Sequence, residues 1–170
     1  MGEDIVGSEP VDIFKGNETV IIAPHPDDEI IGCYEILIKS NPVILYSGDL
    51  EAQRRETILN LKAHVKVKAQ LFLLSVPASL MNKSNKFYYP DPIYEVHPEH
   101  RLAGHMGEQL ARNGFDVTFY SVNMQAPYIH RTPNREGKLA LLNTVYPDQK
   151  SLWESDNKYY LFEGYNKWIF

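Results

Sequence analysis

Short apolar, β-branched runs punctuate the chain at Thr19 to Ala23, Pro42 to Ser47, Gln70 to Val76 and Asp116 to Val122. Such runs are apolar nearly throughout rather than strictly alternating, which predicts strands buried on both faces. Between them the apolar positions recur at helical spacing, over about Asp28 to Lys39, Glu51 to Val65 and Glu99 to Asn113, the last closed by Gly114. Strands alternating with helices predict an α/β fold: a Rossmann-like, mostly parallel sheet with helices on both faces, as a single domain over residues 1–170. No Gly-x-Gly-x-x-Gly follows the first strand, so a dinucleotide is not indicated. The stretch from Pro77 to Val96 shows no periodicity and reads as a loop of about twenty residues, a length more often functional than idle.

Chemistry concentrates where the first of these strands meets its helix. Pro24-His25-Pro26-Asp27-Asp28-Glu29 follows the strand directly. The two prolines fix their own φ and push the residue before each towards extended geometry, so His25 sits in a stiff turn. The three acids fall on the first helical turn, where neighbouring side chains point in different directions. One aspartate can therefore bind a cation while its neighbour faces a substrate. Taken alone, the acids could equally complement the helix dipole and cap free N–H groups.

A second cluster, His97-Pro98-Glu99-His100, opens another helical segment, with Pro98 suited to its first position. His97 and His100 lie three apart and so share a face. With His25 and Asp28, His100 would complete a three-ligand site that leaves one position for water, the arrangement of a catalytic rather than a structural zinc.

These two stretches resemble the PIG-L/LmbE-like zinc-dependent N-acetylglucosaminyl deacetylases. The resemblance is carried by Ala23-Pro24-His25-Pro26-Asp27-Asp28-Glu29 and by His97-Pro98-Glu99-His100, in which Glu99 stands where that family usually has Asp. Weaker matches lie at Arg54-Arg55-Glu56 and from Lys138 through Tyr146-Pro147-Asp148-Gln149. The resemblance implies one zinc per chain, or another divalent metal, on His25, Asp28 and His100. It also implies Asp27 as general base, His97 as transition-state stabiliser, and hydrolysis of the acetamide of an N-acetylated amino sugar or glycoconjugate. Cleavage of a non-sugar acyl-amine conjugate is the alternative within enzymes, and a sugar-binding or metal-storing module without turnover the alternative outside them. Flat aromatic rings suit the apolar side of a sugar, so part of the substrate pocket is expected in the loop holding Phe87, Tyr88 and Tyr89. Asp91 and Tyr94 are substrate-contact candidates there, joined by Arg55 on the second helix and by Tyr128 in a second rim over Asn123 to Arg135, where His130 and Arg131 also fall. The connection Ser47-Gly48-Asp49-Leu50 is shorter than is usual in that family, which implies a more open cleft, one that admits a larger glycoconjugate or whose wall a second copy of the chain or another protein completes.

Composition narrows the remaining classes. A chain of 170 residues with 44% apolar content can bury a substantial core. A net charge of −5 with acids and bases interspersed argues against nucleic acid as the main partner. The basic run His64-Val65-Lys66-Val67-Lys68 is short enough to be the solvated end of a helix, and His64 and His105 read as exposed helix positions. The start, Met1-Gly2-Glu3-Asp4, does not resemble a signal peptide, and no apolar run approaches the ~20 residues that span a bilayer, so a cytoplasmic protein is expected. The lone Cys33 has no internal disulfide partner and, inside an apolar helix, is expected to be buried rather than nucleophilic.

Overall fold

In a computed structural model, residues 4–6, 14, 16–48 and 60–168 are described. Their strands are β1 (Asp4–Val6), β2 (Thr19–Ala23), β3 (Val43–Tyr46), β4 (Ala69–Phe72), β5 (Lys86–Pro90), β6 (Asp116–Tyr120), β7 (Ile129–Arg131) and β8 (Phe162–Asn166). The helices are α1 (Asp28–Ser40), α2 (Pro98–Arg112), α3 (Arg135–Val145), α4 (Lys150–Ser155) and α5 (Lys158–Leu161). The strands form one sheet in the order β1-β4-β3-β2-β5-β6-β8-β7. The central five, β4 to β6 in that order, run parallel, while β1, β8 and β7 add antiparallel edges.

The apolar runs work because both faces of each central strand are covered. Val20, Ile22, Val43, Leu45, Phe87 and Tyr89 pack on one side, with Ala103, Met106 and Leu110 of α2. Ile21, Ala23, Ile44 and Tyr46 pack on the other, with Ile30, Ile31, Leu37 and Cys33 of α1 and Leu142 and Val145 of α3. The expected Rossmann-like, mostly parallel sheet with helices on both faces is thus present, and Cys33 is fully buried. No helix among the described residues is long and apolar enough to cross a membrane.

The loop expected over Pro77 to Val96 is a correction: Lys86–Pro90 within it is β5, at the centre of the sheet beside β2 and β6. Phe87 and Tyr89 are buried under α2 while Tyr88 is half-buried towards the opposite face, so aromatic residues on both sides erase any polar-apolar alternation. Pro90, a breaker by sequence, simply ends the strand. The rim expected over Asn123 to Arg135 likewise contains the edge strand β7. Of the helix expected over Glu51 to Val65, residues 51–59 lie outside the described residues, and Asn60–Ala63 form a 3₁₀ turn.

Topology positions the site. The chain leaves β2 towards β3 and β4, then crosses back so that β5 lies on the other side of β2. This reversal opens a crevice at the carboxyl ends of β2 and β5, where open α/β sheets bind their ligands. α2 is clamped against the exit of β5, because Gly104 lets the helix approach it: a Cβ there would stand 2.6 Å from the Pro90 carbonyl oxygen and 2.7 Å from Pro92 Cα.

Candidate metal centre

The turn after β2 is locked from several sides. Ser47 and Gly48 donate to the carbonyls of Ala23 and Pro24 at 3.2 and 2.9 Å. His25 N–H donates to Asp28 Oδ2 at 2.8 Å, and Asp28 N–H returns a bond to the His25 carbonyl at 3.1 Å. Asp27, the N-cap of α1, adopts φ 110° and ψ −25°. A non-glycine residue in this region is strained and persists only when its surroundings over-determine it. Here the fully buried Glu29 supplies part of that constraint, accepting from Asp27 N–H at 2.8 Å. Its other oxygen accepts from Tyr146 at 2.6 Å and from Tyr46. Burial pushes the Glu29 carboxyl above its ordinary pKa, partly offset by the tyrosine bonds. The third acid of the turn therefore has a structural place.

Across the crevice, Pro98 starts α2 and presents His100 one turn in. His25 Nδ1, His100 Nε2 and Asp28 Oδ2 converge: the separations are 3.2 Å between the nitrogens, 3.0 Å from His100 to Asp28 and 3.4 Å from His25 to Asp28. A tetrahedral ion held at about 2.0–2.1 Å has ligand–ligand edges of about 3.3 Å. The triangle already has that size.

The far nitrogens explain which lone pairs face inward. His25 Nε2 lies 3.0 Å from Glu99 Oε1, and His100 Nδ1 lies 2.9 Å from Glu95 Oε1. A carboxylate on one ring nitrogen keeps the proton there and turns the other lone pair towards the centre, the usual support of a metal-binding histidine. Two lone pairs and a carboxylate oxygen facing one point repel unless a proton or cation lies between them. The titration shifts express the same demand. Burial alone would lower the pKa of His100, but Asp28 and Glu95 outweigh it and raise it to about 10. Burial would raise Asp28, yet the two imidazoles hold it well below the ordinary carboxylate range. The Asp28 hydrogen bond raises His25 against the opposing effect of burial. The donor set is thus chemically suited to a divalent cation.

His97 joins the cluster differently. Its ring centroid is 4.6 Å from that of His25 and 5.0 Å from that of His100. Each of the three histidines offers a ring nitrogen, and these lie within 4.8 Å of one another, close enough to bind one metal ion. However, His97 Nδ1 accepts from Glu99 N–H at 3.1 Å as the N-cap of α2. That places the proton of the neutral ring on Nε2, making it a hydrogen-bond donor rather than a ligand. Burial, then the charges on His25 and His100, lowers the His97 pKa and favours this neutral form.

These groups line a cleft of about 580 Å³ that also includes Asp27, Ile31, Val96, Pro98, Val122, Asn123, Gln149, Leu152 and Tyr159. The structure therefore brings His25, Asp27, Asp28, His97 and His100 together. The substrate candidates lie elsewhere. Asp91 is fully buried and accepts from Tyr128 Oη at 2.5 Å, Trp168 Nε1 at 2.7 Å and the backbone of Ile93 and Tyr94. Tyr94 stacks on Trp168. This knot ties the β5–α2 connection to the chain's end, and none of Asp91, Tyr94 and Tyr128 lines the cleft. Arg55, with Arg54 and Glu56, lies outside the described residues. Lys138 is buried beneath α1, whereas Gln149 does reach the cleft. Glu95, which holds His100 Nδ1, is the residue of this cluster that sequence reading did not single out. Its only signal was an acid set between Tyr94 and Val96, five residues before a candidate ligand.

Comparisons with protein-family models, with curated proteins and with solved structures find no match for this chain.

Proposed function

We propose that the chain is a metal-dependent N-deacylase, with zinc on His25, Asp28 and His100, that hydrolyses the amide of an N-acylated amine. The supporting observation is the convergence of those three donor atoms beside Asp27 in one cleft. A bound divalent ion would polarise an amide carbonyl and bring the pKa of water towards ~7. Asp27, held in place by its strained backbone, accepts a proton from the attacking water and returns it to the departing amine nitrogen. His97 Nε2–H donates a hydrogen bond to the oxygen on which negative charge develops. The balanced outcome is amide plus water giving carboxylic acid plus amine.

The resemblance of the two histidine motifs suggests an N-acetylated amino sugar as the substrate. A non-sugar acyl-amine conjugate is the second reading, favoured by Asp91, Tyr94 and Tyr128 lying outside the cleft. The test is metal analysis joined to an amine-release assay on N-acetylglucosamine derivatives. Asp27→Asn should keep the metal and lose on the order of 10²–10⁴ in turnover, whereas His100→Ala should lose the metal. Both variants keeping zinc and near-normal hydrolysis would overturn the assignment.

A further inference from the structure

We infer that the substrate of this cleft carries an apolar group of several carbons beside its amide, seated on a wall formed by Val96, Val122, Leu152 and Tyr159. The inference rests on the deacylase reading and adds the class of substrate. Val96, at 65%, is the most exposed large hydrophobic residue among those described, and Leu152 is 36% exposed. Both face the same cleft. The four residues come from the β5–α2 connection, the segment after β6, α4 and α5, so the fold has gathered them from distant parts of the chain. Two exposed apolar side chains that converge with the buried Val122 and the half-buried Tyr159 beside polar chemistry mark a binding surface, unlike scattered ones.

Two polar side chains that border the wall already make hydrogen bonds. Asn123 Nδ2 donates to the Tyr94 carbonyl at 3.1 Å, and its Oδ1 accepts from Gln125 N–H at 3.3 Å. Gln149 Nε2 donates to Asp148 at 3.3 Å. Hydroxyls placed against Val96, Val122 and Leu152 would meet no side-chain partner on those residues, whereas methylenes gain by leaving water. At about 580 Å³ the cleft also falls in the range that accepts a ligand far larger than an acetamide.

The apolar group could sit on the acyl half or on the amine half, and two substrate series separate these. One is N-acetyl-, N-butanoyl-, N-hexanoyl- and N-octanoylglucosamine. The other is methyl, butyl, hexyl and octyl N-acetylglucosaminide. Binding to the zinc-loaded chain is measured by calorimetry and amine release in parallel. Affinity in one series should rise roughly two- to fourfold per added methylene until the wall is covered. In Val96→Asp and Leu152→Asp, each an exposed position, the ratio of octyl- or octanoyl-substrate to acetyl-substrate binding should collapse, and Leu152→Met should restore it. Affinity independent of chain length in both series overturns the inference, whether or not amine is released. A chain-length gain without amine release would support the wall and overturn the hydrolytic reading instead.

Discussion

Replacing Glu95 with Gln should separate a metal centre from a mere cluster of histidines. Glu95 is 3% exposed, and its two oxygens face opposite tasks. Oε1 holds His100 Nδ1 at 2.9 Å, while Oε2 accepts from Val122 N–H at 3.2 Å and Asn123 N–H at 3.4 Å. Glutamine has one acceptor oxygen and one donor amide, so it cannot serve both. If its oxygen turns to the backbone, its amide donates to Nδ1 and drives the ring proton onto Nε2, the atom that should hold the ion. If its oxygen turns to His100, the amide opposes two N–H donors in a buried site, at about 1–3 kcal/mol. Loss of such a supporting carboxylate typically weakens metal binding by about 10–100-fold, or about 1.4–2.8 kcal/mol. Zinc affinity measured by chelator competition, with thermal melts recorded in the presence of chelator, reads the two effects separately. Zinc affinity within about twofold of wild type would refute the reasoning, because His100 Nε2 would then not be a ligand set by Glu95.

The proton that occupies the site without metal gives a pH test. The folded pKa of His100 is raised to about 10, so in the metal-free protein its stabilisation is fully present below pH 6.5 and is lost as the pH rises towards 10. Under the proposed ligand set a bound zinc would displace that proton, so apparent affinity should increase with pH across the same window, and a flat profile in chelator competition would remove His100 from the ligand set. Lys138, lowered to about 8 mainly by burial, has the opposite linkage. Its charged form is disfavoured in the fold, so its contribution to stability should rise with pH from about 8 towards 10, a slope that Lys138→Met should remove from denaturant-unfolding curves. Gly104→Ala should destabilise by about 1–3 kcal/mol, because the clashing atoms are the backbone of Pro90 and Pro92 rather than a flexible side chain. Since α2 carries His100, the same variant should weaken zinc binding, and an unperturbed melt with unchanged affinity would show that the contact is slack.

Local chemistry made part of this site readable from sequence. Two prolines stiffen the His25 turn, and Pro98 marks the first position of α2, so the aim of His25 and the shared face of His97 and His100 follow from a few adjacent residues. The helix N-cap made by His97 is equally local. Glu95 was hidden because, besides His100, its partners are Ser121, Val122 and Asn123 just past β6, which the sheet order brings beside the exit of β5. β5 was hidden for a related reason. A strand covered on both faces need not alternate, and Phe87-Tyr88-Tyr89-Pro90 carries aromatic rings where a central strand more often shows Val and Ile. Asp91 and Tyr128 were plausible substrate contacts only while their side chains were unassigned, since each satisfies the other.

A Rossmann-like sheet without its glycine fingerprint then has a physical rationale. In this topology the crevice between β2 and β5 is fixed by chain reversal and exists whatever occupies it. Glycines after the first strand would let a phosphate approach the helix N-terminus. Here the same position is filled by a rigid Pro-His-Pro turn and by carboxylates, which repel phosphate and attract a cation. The second motif lies at the start of the helix after β5, the parallel strand that flanks β2 on the other side of the reversal. The separation of the two histidine motifs in sequence is taken up by the chain that builds β3, β4 and β5. A variant that shifted His97-Pro98-Glu99-His100 by one residue relative to β5 should turn His100 about 100° around α2 and abolish zinc binding while the sheet still folds. Retention of tight zinc binding after such an insertion would show that the ion is held by the turn after β2 alone.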